Sequence, residues 1–208
     1  GLATEAEVTI ERAGGAFRPG VSAQLAWLGT FVLDGRWDEA DRILATQSAP
    51  GNAFLEREVT AVVTELARHR DRPDAAWELI MEHFPDGPAT EPGDCINQEG
   101  LLLQRQAAEL CLDATDHRAA HDWLCAHDRW LEWSGSLLGR ADGRYSWARY
   151  YLETSRHDTA RAHALEALSL AAMPDQPLVR LRAHRLLGEI ELASGDLREA
   201  EAAITAAL

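Results

Sequence analysis

The sequence predicts an all-α protein, and three observations support this prediction. Apolar residues recur every three to four positions through most of the chain, which is the period of an amphipathic helix. Clusters of glycine, proline and small polar residues interrupt this pattern repeatedly, as they do between paired helices. No segment alternates apolar and polar residues in the manner of a β-strand. We therefore expect an α-solenoid of about five helical hairpins.

The first two hairpins are predicted from stripes of apolar residues that end at turn signals. Residues 1–20 read as a lead-in segment, because paired glycines and a Pro-Gly step break their short helical pattern. The first hairpin is expected at about 21–48, where Gly35 closes its first helix. The second hairpin is expected at about 53–84, with Pro73 in the first turn of its second helix.

The remaining hairpins follow a loop over residues 85–95, PDGPATEPGDC, which is rich in proline and glycine. A third hairpin is predicted at about 97–138, and its second helix is predicted to be longer than its counterparts and to reach Leu138. The run GRADGR at 139–144 reads as a loop, followed by hairpins at about 144–172 and 177–208. Residues 21–208 thus form one predicted helical-repeat domain.

A small residue recurs five positions after the turn of each hairpin, where it would let two helices approach closely. The alanines are Ala40, Ala76, Ala120, Ala160 and Ala200, and the turn residues before them are Gly35, Asp71, Thr115, Ser155 and Gly195. Successive alanines are 36, 44, 40 and 40 residues apart. The alternative is that an alanine-rich helical bundle produces this register by chance.

The last hairpin matches a known repeat pattern, W-x₂-L-G-x₂-Y…A-x₃-F, the signature of the tetratricopeptide repeat. Leu187, Gly188, Ala200 and Ile204 occupy its Leu, Gly, Ala and Phe positions, whereas Glu191 stands where Tyr is usual. The period of about 40 residues exceeds the nominal 34 of that repeat. We expect degenerate repeats that stack into a right-handed superhelix.

The segment from residue 121 to 208 resembles the helical-repeat sensor region of large bacterial transcriptional regulators of the LuxR/MalT type. The resemblance lies in DRWLEWSGSLLGRADGRYSWARYYLETSRHDTARAHALEALSLA and in QPLVRLRAHRLLGEIELASGDLREAEAAITAAL. It implies a non-catalytic domain that binds a small effector or a protein partner and couples this binding to remote ATPase and DNA-binding modules. A free-standing scaffold that binds proteins or peptides is the alternative, and a helical enzyme or metal protein is a third.

Composition restricts the possible partners. A formal net charge of −14 argues against direct nucleic-acid contact by this segment, because neutralising phosphates requires clustered basic residues. All 20 basic residues are arginine, which excludes a P-loop lysine or a Schiff-base lysine in the segment. No apolar run is long enough for a transmembrane helix, and no signal peptide is recognisable. We expect a cytoplasmic fragment of a larger protein that has no cofactor and can self-associate.

Cysteine and histidine provide no recognisable catalytic or metal site. Cys95, Cys111 and Cys125 share no C-x₂-C spacing, and their odd number fits a reducing compartment. His117, His121 and Cys125 are spaced i, i+4, i+8, but no second ligand cluster accompanies them, so we predict no metal site. Cys111 and Cys125 lie on apolar stripes and are expected to be buried.

Two sets of residues are candidates for binding. The first helices of stacked hairpins line the binding surface of a solenoid, and arginine and tyrosine there would suit an anionic ligand or an acidic peptide. This predicted groove comprises Arg105, Glu109, Tyr145, Arg149, Arg182, Arg185 and Glu189. The alternative is that these arginines pair with nearby glutamates, as Arg185 and Glu189 could at i,i+4.

The second set is an aromatic face on the helix after residue 116, formed by Trp123, His127, Trp130 and Trp133. It predicts either an aromatic ligand-binding box or a wide face that packs against neighbouring helices.

Overall fold

A computed structural model describes residues 28–47, 53–93 and 97–207, and this part of the chain contains helices and no strand. The predicted all-α class is therefore confirmed for the described residues. Their helices are α1 (Leu28–Leu33), α2 (Trp37–Gln47), α3 (Ala53–His69), α4 (Pro73–His83), α5 (Asn97–Asp113), α6 (His117–Ser134), α7 (Arg140–Glu153), α8 (His157–Leu170), α9 (Pro177–Ser194) and α10 (Leu197–Ala206), with a short 3₁₀ turn at Gly87–Ala89. The predicted lead-in at 1–20 and Cys95 lie outside the described residues.

The chain divides into two compact units, Gly1–Leu79 and Ile80–Leu208. In the first unit, Leu28 and Val32 of α1, Ala40 of α2 and Leu66 of α3 form a buried apolar cluster. Arg70, just after α3, forms ion pairs of 2.8 Å with Asp38 and Asp41 of α2. This unit therefore combines a small apolar core with a charged contact at its surface.

In the second unit, helices adjacent in sequence pack as pairs: α5 with α6, α7 with α8, and α9 with α10. We refer to these pairs as the third, fourth and fifth hairpins. The second helix of one hairpin also contacts the first helix of the next, and the first helices contact each other in the order α5, α7, α9. Between the fourth and fifth hairpins, buried alanines of α7 and α8 pack against larger apolar residues of α9. This cluster comprises Ala148, Ala160, Ala164, Leu186, Leu187 and Ile190.

The five turn residues of the predicted repeat register share one backbone geometry. Each has a left-handed φ: Gly35 72°, Asp71 55°, Thr115 57°, Ser155 58° and Gly195 86°. In each turn, the turn residue donates its N–H to the carbonyl three residues earlier, and the next residue donates to the carbonyl five residues earlier. This pair of bonds closes the preceding helix as a Schellman motif.

The five alanines of the register are likewise equivalent in the structure. Ala40, Ala76, Ala120, Ala160 and Ala200 are all buried, with at most 1% of their surface exposed. Each donates its N–H to the carbonyl of the residue that follows the turn, which is the first hydrogen bond of the second helix. The interval of five residues therefore fixes where a close helix contact falls relative to the turn.

The connection between α6 and α7 differs from the expected one. The long helix ends at Ser134 and not at Leu138, because Gly135 takes a left-handed conformation and caps it. The run at 139–144 is not a loop, since α7 begins at Arg140. Burial explains the correction: Ala141 packs with Ala171 and Val179, and Gly143 lies against His127, so these residues are held in the helix.

Residues 85–93 form the irregular connection that the sequence predicted over 85–95, as far as the described residues reach. This segment is attached to α6 by hydrogen bonds to its carbonyls. Arg129 donates to the oxygens of Pro88 (2.8 Å) and Thr90 (3.2 Å), and the indole of Trp130 donates to Thr90 (3.3 Å). The wider spacing of 44 residues from Ala76 to Ala120 includes this attached segment.

Candidate functional site

The contact between α5 and α7 joins residues of the predicted groove. The Arg149 guanidinium on α7 lies 3.0 Å from a carboxylate oxygen of Glu109 on α5 and 3.8 Å from one of Asp113. These side chains are partly exposed, with 22% of Arg149 and 20% of Glu109 accessible. The ion pairs neutralise Arg149 and tie two neighbouring first helices together.

Tyr145, one turn before Arg149 on α7, connects this pair to α9. Its ring packs against the buried cluster of the fourth and fifth hairpins. Burial raises the pKa of the Tyr145 hydroxyl, and the negative charge of Glu109 raises it further, while Arg149, Arg182 and Arg185 act in the opposite direction. These five side chains therefore share one electrostatic environment. We call Glu109, Tyr145, Arg149, Arg182 and Arg185 the first-helix face.

The other two predicted groove residues have different surroundings. The Arg105 side chain is only 14% exposed and has one nitrogen 3.4 Å from the His127 ring and another 3.7 Å from Asp142. Glu189 accepts a 3.0 Å hydrogen bond from Arg185, whose side chain is 78% exposed. The latter pair is the i,i+4 arrangement considered above as an alternative to ligand binding.

Three members of the predicted aromatic face are buried in the core. The rings of Trp123 and Trp130 both contact Phe84 edge-on, with centroid distances of 5.5 Å. His127 is completely buried, whereas Trp133 is 59% exposed. Trp123 and Trp130 therefore pack against the segment that follows α4, as the packing interpretation requires. The face offers no open aromatic box for a ligand.

His127 lies within a network of charged side chains from three helices. On α6, its Nδ1 is 3.6 Å from a carboxylate oxygen of Asp128, and it has no hydrogen-bond partner. The other oxygen of Asp128 accepts a 3.0 Å hydrogen bond from the indole of Trp147 and lies 3.9 Å from Arg144. Burial lowers the pKa of His127, and the charge of Arg105 lowers it further, against opposing effects of Asp128 and Asp142.

A second aromatic cluster, which the sequence analysis missed, joins α6, α7 and α8. Trp147 and Tyr151 stack with a centroid distance of 5.7 Å, and Tyr151 stacks on His163 at 5.1 Å. Tyr150 and His121 contact Trp147 edge-on at 5.6 and 5.4 Å. The run Trp147–Tyr151 carries three aromatic residues on one helix, and this was the available signal. The histidines come from other helices and could not be assigned to it by spacing.

One of the two described cysteines lies in the environment predicted for it, and the other does not. Cys111 is buried, as expected, and burial raises the pKa of its thiol to about 12. Cys125 is exposed, so the prediction that it is buried is wrong: its position on α6 faces outward beside His121, 3.7 Å from its sulfur. In the part of the chain that the structure describes, no group of three His, Cys, Asp or Glu side chains could hold a metal ion.

Comparisons with protein-family models, with curated proteins and with solved structures find no match to this chain. No helix within residues 28–47, 53–93 or 97–207 is both long and apolar enough to cross a membrane. The functional interpretation therefore depends on the residues and contacts described above.

Proposed function

We propose that this chain is a tetratricopeptide-like helical-repeat domain that binds a partner through its first-helix face and catalyses no reaction. The observation that supports this most is the common geometry of the five turns, each followed after five residues by a buried alanine. In repeat proteins of this class, each hairpin buries its apolar face against its neighbour. The contacts of α7 with α5 on one side and with α9 on the other agree with that arrangement.

The chemistry of the first-helix face indicates where an anionic group would bind. Arg149 is already paired with Glu109 and Asp113, so a ligand carboxylate would have to displace them. Arg182 and Arg185 lie on α9 near Tyr145. Arg185 pairs with Glu189 at 3.0 Å, but its side chain is 78% exposed, so solvent weakens this pair more than it weakens the pairs of the 22% exposed Arg149. Guanidinium groups bind carboxylates and phosphates through forked hydrogen bonds. We therefore expect an acidic peptide or an anionic effector to bind at the α9 side of this face.

The biological setting that we propose is the sensor region of a LuxR/MalT-type transcriptional regulator in the cytoplasm. It is supported by the resemblance of residues 121–208 to such regions and by a net charge of −14, which disfavours direct nucleic-acid contact. In this setting, binding at the first-helix face alters an interdomain contact and thereby remote DNA binding. A free-standing scaffold would bind similarly but would not change transcription. The complete gene distinguishes the two, since the regulator requires ATPase and helix-turn-helix modules.

Titration of the chain with an octaglutamate peptide tests the binding proposal. Isothermal titration calorimetry at low ionic strength should detect binding. Arg182→Gln and Arg185→Gln should each weaken it about tenfold, because a hydrogen bond to a charged group contributes about 1.5 kcal/mol. Arg198→Gln provides the matched control, since Arg198 is an exposed arginine on α10. Equal weakening by all three substitutions would show non-specific attraction and refute the proposed site, as would the absence of binding.

A further inference from the structure

The ring of His127 occupies a closely fitted position between the third and fourth hairpins. His127 on α6 is completely buried, and its ring lies directly against Gly143 of α7. A methyl group added to Gly143 would be 2.6 Å from Cε1 of the ring and 3.0 Å from Nδ1. Such distances are not tolerated between a Cβ atom and a buried ring, so the glycine is required by the histidine.

The corresponding positions in the next junction show that the fold does not need a polar group there. Forty residues further along the chain, Ala167 of α8 and Ala183 of α9 stand at the equivalent register positions, and both are completely buried. In the junction between the fourth and fifth hairpins, two alanines thus occupy the positions that His127 and Gly143 occupy between the third and fourth. Burial of a titratable ring against a glycine therefore distinguishes the junction between the third and fourth hairpins from the junction that follows it.

The charged groups around the ring determine how it responds to a proton. Arg105 of α5 approaches Nε2 at 3.4 Å, and Asp128 of α6 approaches Nδ1 at 3.6 Å. From α7, Asp142 lies 3.7 Å from Arg105, and Arg144 lies 3.9 Å from Asp128. Because a guanidinium can only donate, the neutral ring presents the Nε2 lone pair to Arg105 and carries its proton on Nδ1. A second proton on Nε2 would point at the guanidinium and place two positive charges together without solvent.

We propose that the His127–Gly143 contact is an acid-sensitive latch: when His127 takes up a proton, the ring leaves its position against Gly143 and the junction of α6 and α7 loosens. Asp128 lies on the Nδ1 side of the ring, 3.6 Å away, so it attracts the charged ring but cannot accept the new proton on Nε2, which faces Arg105. The loosening also affects Arg105 and Asp142, which join α5 to α7. This latch is independent of the proposed function, because it concerns the stability of the junction and not its ligand.

The direction of the pH dependence follows from the lowered pKa of His127 in the folded state. The unfolded chain, with a histidine pKa of about 6.5, binds a proton that the folded chain does not. Neutral His127 therefore makes its full contribution to the free energy of unfolding above about pH 6.5. This contribution declines as the pH falls from there towards the folded-state pKa. At pH 5.5, one unit below the unfolded value, linkage alone raises the unfolding equilibrium constant by up to about tenfold.

The test compares the full chain with the double variant His127→Ala, Gly143→Ala, which reproduces the alanine pair of the next junction. Urea unfolding is measured at pH 7.5 and 5.5 by circular dichroism. The wild-type unfolding constant should rise more than that of the double variant, by up to about tenfold. Hydrogen exchange, corrected for intrinsic rates, should accelerate at pH 5.5 in residues 117–134 and 140–153 of the wild type only. His163→Ala is the control, because His163 also has a lowered pKa, caused first by its burial, but lies only partly buried on α8.

Two results would overturn the latch. One is a double variant whose unfolding constant rises between pH 7.5 and 5.5 as much as that of the wild type, whether or not His163→Ala changes this rise. The other is an NMR titration of the wild-type His127 ring in the folded protein with a midpoint at or above the unfolded value of about 6.5, because the latch requires a folded-state pKa below it. The NMR measurement needs no substitution, so it decides the question even if the double variant fails to fold.

Discussion

Thr115 is a position at which replacement by glycine should stabilise the protein. It is the turn residue between α5 and α6, with a left-handed φ of 57°, and its side chain is exposed. A β-branched residue is poorly suited to this conformation, because its Cβ crowds the neighbouring carbonyl oxygen. Gly35 and Gly195 occupy the equivalent position in other turns with φ values of 72° and 86°. Thr115→Gly should therefore remove strain at little cost in packing.

The expected magnitude is the difference of two terms. An L-residue in the left-handed region costs about 1–2 kcal/mol, with threonine near the upper value. Glycine loses more backbone entropy on folding, which costs about 0.5–1 kcal/mol. Thr115→Gly should thus stabilise the chain by about 1 kcal/mol, equivalent to about 2–4 °C in Tm for a protein of this length. Ser155→Gly should follow the same direction, and Asp71→Gly should have the smallest effect, since aspartate tolerates this conformation better.

Urea denaturation followed by circular dichroism measures these differences, and Thr154→Gly provides the matched control. Thr154 lies at a φ of −92°, and its hydroxyl donates a 2.9 Å hydrogen bond to the carbonyl of Tyr150. Glycine gains nothing at a negative φ and loses this bond, so the control should be destabilised by about 1–2 kcal/mol. The reasoning is refuted if Thr115→Gly destabilises the protein or if it behaves like Thr154→Gly.

Two further predictions concern side-chain burial. Trp130→Ala should lower the free energy of unfolding by about 3–5 kcal/mol, because Trp130 is completely buried. Trp133→Ala should lower it by less than about 1 kcal/mol, because that ring is 59% exposed. Equal effects of the two substitutions in urea denaturation would contradict the packing of α6. Cys111, whose thiol pKa is raised to about 12 by burial, should react with iodoacetamide at pH 8 only on unfolding, while exposed Cys125 should react in the native protein. Peptide mass spectrometry after timed alkylation measures both rates, and native labelling of Cys111 would show that its helix opens.

Local sequence signals predicted the helices and turns well, because they depend on neighbouring residues. The register of the alanines located the five turn residues. All five have left-handed backbones, including the non-glycine residues Asp71, Thr115 and Ser155. The start of α7 was missed for the opposite reason. The run at 139–144 contains two glycines and reads as a loop, but the packing of Ala141 and the contact of Gly143 with His127 keep it helical.

The candidate site was predicted less completely, because side-chain partners from other helices cannot be read from spacing. Helical register placed Glu109, Tyr145 and Arg149 among the residues of the first helices, and the structure brings them together. Register also assigned Arg105 to the same surface, but its guanidinium turns towards His127. The His127 ring can lie beside Arg105 because Gly143 leaves room for it. His127 and Gly143 belong to different hairpins, so this contact cannot be predicted from a local sequence pattern.

The interval from turn residue to buried alanine is five residues at each of the five turns in the described part of the chain, whereas successive alanines are separated by 36 to 44 residues. Variation in chain length is therefore confined to the links between hairpins and the outer parts of the helices. A recombination event that cut two such links would transfer a whole hairpin with its turn geometry intact. The hairpin, and not the single helix, is then the natural unit of exchange in this chain. The His127–Gly143 pair limits such exchange, because its two residues belong to different hairpins and must be inherited together.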